Sequence, residues 1–174
     1  MIPGGSAEQR DGQLETLDDL SGAVHYNRWI FDMMSPYLGD RVLEVGCGIG
    51  NMTDLLARDR QVLAVDVHEG YLSQARKKYG TRTSVRFERL DLADGLTRLS
   101  SFKPDTIVCV NVFEHLEDDA AFLRESAGLL PAGGRLLLFV PALPFLFGSM
   151  DVHYGHFRRY YKKDLAALVG SGGF

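Results

Sequence analysis

Residues 43–51 read LEVGCGIGN, in which Gly46, Gly48 and Gly50 follow an apolar run that ends at Val45. A segment with a helix-like pattern follows at residues 51–58. Glycines between a strand and a helix let the backbone turn sharply and approach a ligand closely. We therefore expect a strand, a tight turn and a helix here, with a ligand lying against the turn.

The rest of the chain continues this alternation of strands and helices. Short runs rich in Val, Leu, Ile and Phe predict buried parallel strands, at residues 41–45, 61–65, 84–89, 105–110 and 134–140. Helical patterns and helix-end signals predict helices at residues 24–37, 51–58, 69–79, 118–130 and 162–169. The order predicts an α/β fold with a doubly wound, Rossmann-like, mostly parallel sheet, whose ligands bind at the carboxyl ends of the strands.

The bulk composition predicts one globular domain, at residues 21–174, after a flexible leader at residues 1–20. A net charge of -4 and a pI of about 5.7 do not favour nucleic acid as a partner. The basic residues of 158–163 are better interpreted as a solvated surface. Two cysteines, no signal peptide and no apolar run of about 20 residues predict a cytoplasmic protein without a membrane span.

The glycine turn departs from the two common phosphate-binding motifs. The dinucleotide-binding fingerprint G-x-G-x-x-G requires a glycine where this chain has Asn51. The phosphate-binding P-loop requires Gly-Lys-Ser/Thr, which does not follow the turn. These departures count against an NAD(P) oxidoreductase, which is one alternative function. We expect a nucleoside ligand whose attached group is not a diphosphate.

Acidic residues stand at the ends of three predicted strands. Asp66 can accept hydrogen bonds from both hydroxyls of a ribose. Asp91 can receive an adenine amino group or, alternatively, cap the turn that follows it. Together with Glu44, these acids favour a ligand that carries positive charge.

Five motifs resemble those of class I S-adenosylmethionine-dependent methyltransferases, in particular small bacterial enzymes that act on small molecules. They are VLEVGCGIGNMT (42–53), AVDV (64–67), RLDLAD (89–94), VCVNVFEHLEDD (108–119) and LLPAGGRLLLFVPA (129–142). The resemblance covers residues 24–174. It implies the cofactor S-adenosylmethionine, the product S-adenosylhomocysteine, and a sheet that in this family continues with two further strands after residue 174.

The resemblance also implies roles for individual residues. The three glycines would line the methionine part of the cofactor, and Glu44 would orient the turn and face the ammonium side of the cofactor, directly or through water. Asp66 would hold the ribose, and Asp91 with the Leu92 amide would contact adenine. Asn111 would lie at the methionine end, and either Tyr26 or Arg28 could bind the carboxylate or simply pack at the surface. The expected cofactor-binding set is Tyr26, Glu44, Gly46, Cys47, Gly48, Gly50, Asn51, Asp66, Val67, Asp91, Leu92 and Asn111.

The predicted reaction is in-line methyl transfer to a small-molecule acceptor, with oxygen or nitrogen favoured over carbon. His115, His153 and His156 are the candidate bases, because they lie after the fourth strand and in the segment DVHYGHFRRYYKKDL (151–165), which resembles acceptor-binding insertions of the family. For His115 the alternative is a role in shaping the pocket. PALPFLFG (141–148) is expected to form a lid or a short helix.

Two alternatives concern metal and assembly. Ubiquinone-pathway O-methyltransferases and small-RNA 2′-O-methyltransferases carry Glu-x-x-Glu-His at this spot, with a later histidine, and bind a divalent ion there. This chain keeps Glu114, His115 and His153 or His156 as candidate ligands but has Asn111 in place of the first Glu, so we expect no metal. A second function class is a catalytically inactive cofactor-binding or scaffold module whose sheet a partner completes. An uncovered fifth strand could also support a homodimer.

Overall fold

The computed structural model describes residues 24–80 and 82–174. The leader expected at residues 1–20 lies outside these ranges.

Within the described residues, five parallel strands form one sheet in the order β3-β2-β1-β4-β5. The strands are β1 (Arg41–Val45), β2 (Gln61–Asp66), β3 (Val85–Arg89), β4 (Thr106–Val110) and β5 (Arg135–Phe139). This arrangement confirms the predicted α/β class, and each strand lies within one residue of its predicted bounds. The order of connection reverses between β1 and β4, so a cleft opens there at the carboxyl ends of the strands.

The helices are α1 (Val24–Met34), α2 (Thr53–Leu56), α3 (Glu69–Tyr79), α4 (Asp119–Leu129), α5 (Ser149–Tyr154) and α6 (Lys162–Ser171). The Asp118 carboxylate caps α4 by accepting a hydrogen bond from the amide of Ala121 at 2.8 Å. Helix α2 is shorter than predicted because the residues before it form a hydrogen-bonded turn, in which the amide of Gly50 donates to the carbonyl of Cys47 at 2.9 Å.

Alternate residues of the strands feed two apolar cores, one on each face of the sheet. Leu43, Leu63 and Ile107 pack under α4, while Val42, Val62 and Val108 pack under α1 and α2. All six side chains are at most 1% exposed. This two-sided burial fixes the strands and therefore the positions of the loops that follow them.

The segment between β5 and α6, residues 140–161, is called the cover segment below. It contains a 3-10 turn at Pro144–Leu146, helix α5, and an isolated bridge between Ala142 and Tyr160. The short helical turn agrees with one of the two expectations for this stretch. Among the described residues, no helix combines the length and hydropathy that crossing a bilayer would require.

Candidate active site

The loops after β1 and β4 come into close contact at the switch in strand order. Gly46 has φ +74°, and a Cβ atom at this position would lie 2.2 Å from a methyl group of Val112. A side chain is therefore excluded both by the backbone conformation and by the neighbouring loop. The close approach packs the glycine turn directly against the loop after β4.

The far side of the turn is held by Tyr79 of α3. Its hydroxyl donates a hydrogen bond to the carbonyl of Gly50, and a Cβ atom on Gly50 would lie 2.6 Å from the Tyr79 ring. Cys47 is buried within the turn, where burial raises the pKa of its thiol. Asn51 follows, half-buried, in the turn that leads into α2. The Tyr79 contacts hold the turn against α3.

Asp66 joins the glycine turn to the end of β2. One carboxylate oxygen accepts from the amide of Gly48 at 2.8 Å, and the other accepts from the amide of His68 at 2.9 Å. The side chain is thus held in one orientation, and each oxygen can still accept a second hydrogen bond. Val67 is exposed beside it. This geometry suits a carboxylate that receives a pair of neighbouring hydroxyls.

Glu44 lies buried below the turn, with only 3% of its surface exposed. It accepts a hydrogen bond from the hydroxyl of Thr53 at 2.6 Å. Burial raises the pKa of Glu44 to about 8, and the negative charge of Asp66 adds to the shift. A positively charged ligand next to these two acids would relieve this unfavourable electrostatic environment, so the donor set fits a cation and not a phosphate.

Asp91 fulfils the capping role that the sequence left open. Its carboxylate accepts from the amide of Ala93 at 3.0 Å and so starts the 3-10 turn Leu92–Asp94. The amide of Leu90 donates to the carbonyl of Asp66 at 3.0 Å, which brings the ends of β2 and β3 together. Asp91 and the half-buried Leu92 therefore lie at the β3 side of the cleft.

Asn111 and Tyr26 lie at the opposite side, near the ends of β4 and β5. Asn111 adopts φ +52°, an uncommon conformation for a residue other than glycine, and its amide donates to the carbonyl of Phe139 at 2.9 Å. The Tyr26 ring contacts the Phe139 ring with a centroid distance of 6.3 Å. Arg28 instead pairs with Asp32 at the surface, at 2.7 Å. The structure thus brings Tyr26 toward the cleft edge and leaves Arg28 in a surface ion pair.

Two of the three candidate histidines meet beyond the end of β4. The rings of His115 and His156 contact edge to face with centroids 4.7 Å apart. Burial, reinforced by the neighbouring His156, lowers the pKa of His115 to about 4. His153 is exposed, and its ring contacts Tyr154 instead. The structure therefore groups His115 with His156 and leaves His153 apart.

Glu114 completes this cluster, although it was expected to act only as a ligand in the metal alternative. It is 1% exposed, and burial raises the pKa of its carboxyl group to about 7. One oxygen lies 3.9 Å from Nε2 of His156, while the other has no hydrogen-bond partner among the described residues. Glu114, His115 and His156 are the one group of described His, Cys, Asp and Glu residues whose ligand atoms could share a metal ion, lying within 4.8 Å of one another.

Asp151 is a functional candidate that the sequence analysis missed. Its carboxylate, 1% exposed, accepts from Nε of Arg159 at 2.7 Å and from the amide of Gly148 at 2.9 Å. It also lies 2.9 Å from Nδ1 of His156. The hydrogen bond from Arg159 is the main reason that the pKa of Asp151 falls well below its usual range. The sequence signal that could have identified it is the presence of Asp151, His156 and Arg159 within one nine-residue stretch.

Comparison with known proteins agrees with this geometry. The family model described as "Methyltransferase domain" matches residues 43–136, which is more than half of the chain. A Mycobacterium tuberculosis protein named "Probable S-adenosylmethionine-dependent methyltransferase" is 33% identical over 149 residues, covering 83% of this chain and 53% of that protein. The ubiquinone biosynthesis O-methyltransferase of Xanthomonas oryzae is 35% identical over 102 residues, covering 58% of this chain and 42% of that protein.

The fold comparison gives the same architecture. The crystal structure of an S-adenosylmethionine-dependent methyltransferase from Mesorhizobium loti superposes with a TM-score of 0.66, covering 83% of this chain and 80% of that chain at 18% identity. The chain spans between about a quarter and about half of the length of the curated relatives it matches.

Proposed function

Because the chain belongs to the class I S-adenosylmethionine-dependent methyltransferases, we propose that it transfers a methyl group from S-adenosylmethionine to an oxygen or nitrogen atom of a small-molecule acceptor. The observation that carries this proposal is the closely packed glycine turn whose Gly48 amide donates to Asp66. That pair provides a backbone surface for the methionine part of the ligand and a fixed carboxylate for its ribose.

The expected cofactor contacts follow from the cleft. Gly46, Gly48 and Gly50 would lie along the methionine chain, and Asp66 would accept hydrogen bonds from the ribose hydroxyls. Asp91 and Leu92 stand at the β3 side for adenine, while Asn111 and Tyr26 stand at the β5 side for the amino-acid end. The bound cofactor supplies a methyl group on a sulfonium sulfur, which is a good leaving group.

The protein's main catalytic task is to hold the acceptor in line with that methyl group. Such positioning can lower a barrier by about 7–11 kcal/mol. A base that removes the acceptor proton can add about 100- to 10,000-fold. The cover segment and the turn after β4 bring His115, His156, Tyr154 and Glu114 together, so these polar groups would form the acceptor wall.

The proposal is tested by incubating the protein with S-adenosylmethionine and three probe acceptors: catechol, tyramine and phenylacetic acid. These probes offer hydroxyl, amine and carboxylate nucleophiles. We expect S-adenosylhomocysteine and a methylated product with at least one of them. Tight binding of S-adenosylhomocysteine without a product from these or a wider set of acceptors would support the inactive scaffold instead.

Metal independence, cytoplasmic location and dimerisation are parts of the same proposal. The Asn111 amide is a weaker ligand for a hard cation than a carboxylate, which supports methyl transfer without a divalent ion. Within the described residues β5 pairs only with β4, so its outer edge could join a second copy. Light scattering would separate a monomer from such a dimer.

A further inference from the structure

The side chain of Asp151 is the centre of a buried polar network in the cover segment. Three donors or potential donors surround it: Nε of Arg159 at 2.7 Å, the amide of Gly148 at 2.9 Å and Nδ1 of His156 at 2.9 Å. Its side chain is 1% exposed. A buried carboxylate with this many partners is ionised and fixed in orientation.

The network determines which nitrogen of His156 carries a hydrogen. One carboxylate oxygen of Asp151 accepts a hydrogen bond from Nε of Arg159, and the other accepts one from the amide of Gly148. Both of these N–H groups can only donate. An ionised carboxylate has no hydrogen to donate. Nδ1 of His156 must therefore be the donor in its contact with Asp151, and the neutral ring then carries its lone pair on Nε2.

The Nε2 atom of His156 lies on the Glu114 side of the cluster. It lies 3.9 Å from an oxygen of Glu114, which is beyond hydrogen-bond range, and the His156 side chain remains 15% exposed. The His115 ring and Tyr154 ring flank it, with centroids at 4.7 Å and 6.1 Å. An acceptor group would have to reach Nε2 through the exposed part of the His156 side chain.

We propose that Asp151 is a positioning residue that holds Nδ1–H of His156, so that Nε2 of His156, and not His115, takes the proton of the methyl acceptor. This inference rests on the proposed methyl transfer. In the step, the acceptor's X–H bond breaks and its hydrogen binds Nε2. The X–CH3 bond forms as the bond between methyl and sulfur breaks, and the sulfur keeps that electron pair. The resulting imidazolium is stabilised by Asp151 and returns its proton to water.

The surroundings of His115 support this assignment. It is enclosed by His156 and by the backbone of Gly155, and among the described residues no carboxylate hydrogen bond to its ring is found. Its lowered pKa makes it a weak base. His156 contacts an ionised carboxylate that would stabilise its protonated ring, and among the described residues no carboxylate is hydrogen-bonded to the His115 ring.

The test reads the tautomer directly, by two-bond proton–nitrogen NMR of protein labelled with 15N-histidine. The chain has five histidines, so His156→Gln assigns the signal. We expect the neutral His156 ring of the wild-type protein to carry hydrogen on Nδ1 and none on Nε2. A signal with hydrogen on Nε2 alone would overturn the proposal without any activity measurement or further variant.

The Asp151→Asn variant links the tautomer to catalysis. An amide cannot present acceptor atoms to Arg159, Gly148 and His156 at once, so the tautomer preference should be lost. We expect kcat for catechol or tyramine, whichever is methylated faster, to fall about tenfold or more, with KM for S-adenosylmethionine little changed.

Asp119→Asn is the matched control. Asp119 also anchors the cover segment, by accepting from Arg158 at 2.6 Å and from the Tyr160 hydroxyl at 3.0 Å, but it does not contact His156. It should keep the wild-type tautomer and lose much less in kcat. Equal losses in both variants would show that Asp151 only holds the segment and would overturn its positioning role. The expected tautomer without methylation of any acceptor would overturn the proposed function and the role of His156 as base, while leaving the Asp151–His156 bond in place.

Discussion

Replacing the buried Glu44 by Gln should stabilise the protein at pH 8 and leave its stability nearly unchanged at pH 5. Glu44 is 3% exposed, and burial raises its pKa from 4.5 to about 8. At pH 5 the folded protein holds it protonated, and glutamine resembles this neutral form, including the oxygen that accepts from Thr53. At pH 8 about half of the folded molecules carry a buried charge that the glutamine variant lacks.

The magnitude follows from the difference in pKa between the folded and unfolded chains. A group whose pKa is raised on folding stabilises the native state fully below its unfolded pKa, and this contribution is lost as the pH rises through the folded value. For a shift from 4.5 to about 8, the free energy of unfolding falls by about 3 kcal/mol between pH 5 and pH 8. The variant should lack this decline.

Urea unfolding at pH 5, 6, 7 and 8 measures the effect. Glu114 has a raised pKa and His115 a lowered one, so they also contribute to the pH dependence, with opposite signs. Both are present in wild type and variant, and the difference between the two proteins isolates Glu44. Glu88→Gln removes an exposed acid and should keep the wild-type slope. Parallel curves for wild type and Glu44→Gln, or a variant less stable at pH 8, would refute the reasoning.

Three further predictions concern the turn, the ribose site and metal. Gly46→Ala should lower the free energy of unfolding by about 1–3 kcal/mol, because Gly46 has a positive φ and an added Cβ would lie 2.2 Å from the neighbouring loop. The control Gly70→Ala changes a helix position with open space and should be neutral or stabilising by about 0.5–1 kcal/mol. Equal losses of stability in the two variants would contradict the packing argument. Asp66→Asn should weaken the binding of S-adenosylhomocysteine, measured by calorimetry, about tenfold or more. The reason is that one of the two backbone amides that now donate to Asp66 would face an NH2 group instead. Unchanged affinity would show that Asp66 does not hold the ribose. EDTA should leave methyl transfer unchanged, and a loss restored by a divalent ion would show that metal is required.

The sequence predicted the scaffold well because each strand is set by local apolar runs and each long helix by its end signals. Capping by Asp118 is a contact within three residues, so it could be recognised from the sequence. The glycine turn was predicted for the same reason. Helix α2 is shorter than its predicted range because the turn before it is held by backbone hydrogen bonds, which no particular residue type specifies.

The acceptor side could not be predicted to the same depth. The contact between His115 and His156 joins residues 41 positions apart, and the burial that changes the pKa of Glu114 depends on the packed core below it. Both depend on how the cover segment folds back over the turn after β4. The bond from Phe157 to the carbonyl of Glu114, at 2.9 Å, is one of the contacts that fixes this placement.

The central claim is that the glycine turn and its neighbouring acids receive a positively charged thio-nucleoside. The most direct test titrates S-adenosylmethionine, S-adenosylhomocysteine and NADH separately against the fluorescence of Trp29, whose ring contacts Phe139 at 5.9 Å beside the cleft. Calorimetry with the same ligands guards against optical overlap with NADH. We predict saturable binding of the two sulfur nucleosides and none of NADH over the same concentrations. Preferential binding of NADH would contradict the account.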